Sequence, residues 1–118
     1  MTTTNAAQTV PNFDDALAAF VAGVQEMIDT HFAANYKNLS PNKLSVQRGK
    51  RYVKIVTTCI NASDGSEGQR SVWGFIDNSN GDILKAAGWK APAKHARGNI
   101  FSANQFENVN EHGPNYLR

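Results

Sequence analysis

The chain has 118 residues, a formal net charge of +2 and one cysteine. That length fits a single domain with its own core, and a lone cysteine excludes an intramolecular disulfide. No apolar run approaches the roughly 20 residues of a membrane-spanning helix, and the first residues have neither the basic nor the apolar region of a secretory signal. A reducing cytoplasm is the expected setting.

Residues 1–10 are polar and low in complexity, and are expected to form a disordered tail. Residues 11–118 are expected to form one ligand-binding domain. Asn12 can cap a helix, with Asp14 and Asp15 suiting its first turn. Phe13, Leu17, Phe20, Val21, Val24, Ile28 and Phe32 recur at spacings of three and four, which predicts one amphipathic helix ending near Ala34 or Asn35. Gly23 lies inside it and costs about 1 kcal/mol against Ala, so close approach of another element is its expected use. His31 flanks the stripe as a boundary residue. Pro41 then blocks further helix.

From Lys43 the period changes to two. Leu44, Val46 and Arg48 share one face of a first strand. Gly49-Lys50 is a turn. Arg51 to Ile60 is a β-branched run, with Val53, Ile55, Thr57 and Cys59 on one face and Tyr52, Lys54, Val56 and Thr58 on the other. Cys59 is expected to be an inert core residue. Residues 61–68 are rich in turn formers. Arg70 to Asp77 reads as a third strand. Asn80-Gly81 suits a hairpin turn with positive φ, and Asp82 to Ala86 is a short fourth strand. Asp77 and Asp82, on either side of that turn, are read as structural. Ser102 can cap a short helix over Ala103 to Phe106. The expected architecture is α+β, one N-terminal helix packed on an antiparallel sheet of about four strands.

Charge is unevenly divided. Residues 1–42 set Lys37 against Asp14, Asp15, Glu26 and Asp29. Two later segments are basic with no acid. The first holds Lys43, Arg48, Lys50, Arg51 and Lys54, and the second runs from Lys85 to Arg97. An anionic ligand on the basic side is one explanation, and a solubilising surface is the other. The stretch 88–99 weighs toward the ligand. It holds Trp89, Lys90, Pro92, Lys94, His95, Arg97, Gly98 and Asn99. Lys90, Lys94, Arg97 and the Gly98 backbone suit phosphate. Trp89 and Asn99 suit a base, by stacking and by an amide hydrogen bond. Trp89 as a plug at the sheet edge is the competing assignment.

Signatures of nucleotide-fold, P-loop, zinc-protease and redox-dithiol enzymes are absent from the sequence. Histidines at 31, 95 and 112 with Cys59 make a poor metal set. His95 is the one acid–base candidate, and no nucleophile stands beside it. Binding is therefore expected over catalysis, with no cofactor and no metal.

The string from Gly81 to Phe101, preceded by Trp73-Gly74-Phe75-Ile76-Asp77, resembles the first described family of phage anti-Thoeris sponge proteins. The resemblance covers about residues 71–101. It implies a homodimer or larger homo-oligomer in the cytoplasm of an infected bacterium. Such a protein sequesters cyclic ADP-ribose immune signals without cleaving them. Some members also hold cyclic di- or trinucleotides. On the matching positions, Trp89 would stack on adenine, Asn99 would hydrogen-bond the ligand, and Lys94 and Arg97 would meet the pyrophosphate. Arg48, Arg51, Lys54 and Arg118 are further candidates from charge alone. A small phage single-stranded DNA-binding protein is the alternative, with Tyr52, Trp73 and Phe75 as its stacking platform.

Overall fold

The structure is a computed structural model describing residues 12–36, 38–102, 105–106, 109–110 and 113–114. The expected N-terminal tail, Arg118 and Ala103 and Asn104 of the expected short helix lie outside the described residues; Gln105 and Phe106 form a turn.

Helix α1 spans Phe13–Asn35. The Asn12 side chain accepts a hydrogen bond from the Asp15 N–H at 2.8 Å, which satisfies one of the open donors of the first turn. Ala16, Leu17, Phe20, Val24 and Ile28 are buried along the expected stripe. Each large side chain on it contributes about 1.5–3 kcal/mol through burial. The helix ends where the Tyr36 N–H closes on the Phe32 carbonyl and the chain turns away.

Five antiparallel strands follow in simple meander order: β1 (Lys43–Arg48), β2 (Tyr52–Ile60), β3 (Glu67–Asp77), β4 (Asp82–Ala86) and β5 (Pro92–Asn99). A small ribbon, β6 (Val109–Asn110) and β7 (Gly113–Pro114), completes the described fold. The α+β architecture is as the sequence implies, with one strand more in the sheet. The additional strand is β5, where the sequence suggested a loop. It carries no apolar alternation, because it is an edge strand held by its backbone pairing to β4.

One sheet face packs on the helix. Val53, Ile55, Trp73, Ile76 and Ile83 meet the helix stripe there, joined by Ile100 and Val109. Phe20 lies edge-on to Trp73 at 5.7 Å and stacks on Phe106 at 5.4 Å. Gly23 serves that contact, since a Cβ there would fall 2.3 Å from the Phe106 ring. Gly74 likewise lets Pro114 lie close on the sheet, and Lys85 Nζ donates to the Pro114 carbonyl at 3.1 Å.

The first edge is partly closed by the helix. Gln25 accepts from the Leu44 N–H at 2.8 Å and donates to the Asn42 carbonyl at 2.9 Å. One side-chain amide thus occupies backbone groups at the start of β1 that would otherwise be open to a second strand.

Candidate functional site

The face of the sheet turned away from α1 is the distinctive surface. Register fixes its membership. Lys54 pairs with Phe75, and Phe75 with Leu84. Tyr52, two residues before Lys54, is on the same side and pairs with Asp77. Val56, Phe75 and Leu84 are buried yet stand apart from the helix-side core, so this face has an apolar floor of its own. The Tyr52 and Phe75 rings meet at 6.1 Å, and the Arg51 guanidinium lies 5.3 Å from the Tyr52 ring centre.

Two bulges decide which cations join them. Between β2 and β3 the register moves from Ile55 opposite Gly74 to Val56 opposite Val72. Simple alternation from Phe75 would put Arg70 on the helix side. The extra residue at Trp73 returns Arg70 to the face of Lys54. A second shift, from Ile83 opposite Gly98 to Leu84 opposite Ala96, brings Ala96 onto the same face and leaves Arg97 as the bulged residue; Lys94 lies in a further irregularity, between Ala96 and Pro92, and lines the same groove as Tyr52 and Leu84.

Trp89 sits in the turn between β4 and β5. There the Ala87 and Gly88 N–H groups both donate to the Ala91 carbonyl, at 3.0 and 3.2 Å. The residue is 43% exposed, so it is presented rather than plugged. Lys54 Nζ lies 4.3 Å and the Arg70 guanidinium carbon 5.8 Å from the ring centre. Such cation–π contacts are worth about 0.5–1 kcal/mol each at exposed sites. Beside them a groove of about 320 Å³ runs past Lys50, Arg51, Tyr52, Lys54, Phe75 and Lys90, with no carboxylate in its lining. A neighbouring groove of about 450 Å³ takes in Tyr52, Leu84, Pro92 and Lys94, and here Asp77 and Asp82 form one end. The Ser79 hydroxyl and backbone N–H both donate to Asp77 Oδ1, at 2.7 and 2.8 Å. They hold the Asp77 carboxyl below the usual carboxylate range and keep it ionised near neutral pH.

The residues named from sequence divide into two groups. Trp89, Lys90, Lys94, Arg51 and Lys54 come together on this face. The others do not. Asn99 stands at the far end of β5 from Trp89: Asn99 pairs with Asp82 and Pro92 with Ala86, so the strand places about 13 Å of sheet between the turn and Asn99. Its amide donates to the Asn80 carbonyl and to Asp82, and its oxygen accepts from the Phe101 N–H, so it ties the hairpin turn to β5. Arg97 is buried and donates to the His95 carbonyl, which turns the guanidinium inward rather than toward a phosphate. His95 falls between Ala93 and Ala96, beside the bulge, and is exposed. Gly98 pairs with Ile83 on the core side. Arg48 contributes to the lining of the 320 Å³ groove, but its guanidinium turns to the helix, where it pairs with Asp14 at 2.8 Å and lies over Phe13. Trp73 is in the core against Phe20, and Phe75 is floor rather than platform.

Arg70 was not evident in the sequence as a site residue. Its only signal is a basic residue on a strand, and its face depends on the bulge. A second cavity was also not evident. It holds about 400 Å³ at the C-terminal end of α1 and is lined by Ile28, His31, Phe32, Tyr36 and Cys59 among others. Cys59 is exposed there, not a core residue, because β2 runs on past the part of the sheet that the helix stripe covers.

Among the described residues, no group of three or more histidine, cysteine or acidic side chains is placed to hold a metal. No helix among them is long and apolar enough to cross a membrane. The chain belongs to a family of unknown function, DUF7717, matched over residues 3–114. No curated protein and no solved structure matches it.

Proposed function

We propose that this protein binds single-stranded nucleic acid across the free face of its sheet and holds it without converting it. The observation that carries this is the joining of two accessible rings, Tyr52 and Trp89, with Arg51, Lys54, Arg70, Lys90 and Lys94 on one open face. Bases stack on such rings whatever their identity, while cations track the phosphates. A face this open suits a ligand that continues past the site at both ends. A duplex hides its bases and would leave both rings unused.

Salt dependence tests it quantitatively. Five cations, each meeting one phosphate, give a slope of log K against log salt of about −3.5 for a single strand. Affinity for an oligothymidine should therefore fall about 100-fold between 50 and 200 mM salt. Trp73 is buried, so quenching of tryptophan emission on titration reports Trp89. A slope near zero, or no change in emission at saturation, would defeat the proposal.

A second reading keeps the sequence resemblance, sequestration of cyclic ADP-ribose or related cyclic nucleotides in the host cytoplasm. The groove over Tyr52, Pro92 and Lys94 favours it, since about 450 Å³ is the size of a small-molecule site. Closure of that groove would require a second subunit, hence a homo-oligomer. Isothermal calorimetry with a glycocyclic ADP-ribose, followed by recovery of intact ligand after heat denaturation, tests it. It loses support from the separation of Trp89 and Asn99 and from the inward-turned Arg97.

A further inference from the structure

We infer that the end of the groove beside Tyr52 selects a base carrying an exocyclic amine, and favours cytosine over thymine. This rests on the single-strand proposal above. Tyr52 and Asp77 are directly paired across β2 and β3, so the carboxylate stands at the edge of the ring on which a base would lie. Leu84 and Pro92 supply apolar walls to the same groove, and Lys94 supplies a cation for the phosphate. Asp77 and Asp82 are the two groups in that lining that can only accept hydrogen bonds at neutral pH.

Their oxygens are not equally engaged. Both Ser79 bonds fall on Asp77 Oδ1, and Oδ2 has no hydrogen-bond partner among the described residues. The Asn99 amide takes Asp82 Oδ1 and fixes that carboxylate in place. An oriented carboxylate oxygen at the edge of a stacked pyrimidine accepts from the cytosine N4 amine. Thymine offers the O4 carbonyl at the corresponding position, so two acceptors would face each other without a proton. Unlike Tyr52, Trp89 has only cations described close to its ring, so base choice is confined to one end of the face.

The test compares oligocytidine and oligothymidine DNA of about 12 nucleotides by fluorescence anisotropy with the full chain. The wild type should hold the cytidine strand about tenfold tighter. Asp77→Asn keeps an oxygen for Ser79 and puts an amide donor in place of Oδ2, so the preference should disappear or reverse. A strand of N4,N4-dimethylcytidine, offered to the unaltered protein, should bind no better than thymidine. That measurement needs no variant to fold. Equal wild-type affinity for cytidine and thymidine, or undiminished binding of the dimethylated strand, overturns the base assignment while leaving single-strand binding intact. No binding of any oligomer overturns both.

Discussion

Removing Trp89 separates a ligand-contacting aromatic from a structural one. Trp89→Ala deletes the ring of a residue that is 43% exposed and lies outside the core cluster. Its described ring contacts are the ones to Lys54 and Arg70. At about 0.5–1 kcal/mol for each, their loss should lower stability by less than about 2 kcal/mol. Base stacking on an aromatic platform is worth about 1–3 kcal/mol, so the dissociation constant for a single strand should rise about 5- to 150-fold. Asn99→Ala should do the reverse. It removes two donated hydrogen bonds and one accepted one at the hairpin turn, at about 1–3 kcal/mol in stability, and should leave affinity nearly unchanged. Anisotropy titrations with a labelled oligonucleotide and urea unfolding followed by circular dichroism read the two effects separately. A Trp89→Ala protein that binds as tightly as the wild type would refute the stacking role. An Asn99→Ala protein that keeps its stability and loses binding would refute the structural role, and would favour the cyclic-nucleotide ligand.

Three further outcomes follow from the geometry. Cys59 is exposed, so a thiol reagent should titrate one equivalent in the native protein, nearly as fast as in urea; a protected thiol would contradict its placement. Gly81→Ala puts a side chain at φ +82° and 2.7 Å from the Phe101 ring, and should cost at least about 1–2 kcal/mol in urea unfolding from the left-handed backbone alone. The Asp77 carboxyl should titrate below 3.8 in an NMR pH series, because Ser79 donates to its charged form. With the folded value depressed, its contribution is present above that pH and is lost as pH falls through the folded value. Asp77→Asn should flatten this part of the acid profile.

The helix was legible because a single stripe at spacings of three and four leaves little choice of buried face, and Asn12 marks its start. Strands β1 to β4 were legible from β-branched residues in alternation and from Asn80-Gly81, whose glycine does take positive φ. What escaped depends on backbone irregularity or on position at an edge. The 92–99 segment has no apolar period, because an edge strand with one polar face needs none. The bulge at Trp73 inverts the face of Arg70 relative to Phe75, and the bulge at Arg97 buries a residue that composition alone would assign to phosphate. A period-2 pattern predicts faces only as far as the next inserted residue. The basic composition of 88–99 therefore drew attention to a segment whose Trp89, Lys90 and Lys94 share a face with Lys54 and Arg70, while the arrangement of its residues did not follow from the string.

A net charge of +2 is small for the proposed binding of a polyanion, and the distribution of charge in the fold bears on that objection. Asp14, Asp15, Glu26 and Asp29 are all exposed on α1, which has no Lys or Arg. The cations around Tyr52 and Trp89 lie on the other side of the sheet. A helix is about 10–12 Å across with its side chains, and the sheet adds its own thickness. Asp14 is taken up locally by Arg48 at 2.8 Å, and exposed charges farther apart than about 8 Å are largely screened at physiological ionic strength. On the proposed binding face, the cations a nucleic-acid strand would meet locally are Lys54, Arg70, Lys90 and Lys94. The same division orients approach. In dilute salt the acidic helix side would repel phosphate, and so would steer the proposed ligand to the sheet. Asp77 and Asp82 are the acids in the lining of the groove on the proposed binding face. Their place at one end of the groove, next to Tyr52, is where charge opposes the phosphates and can instead select a base.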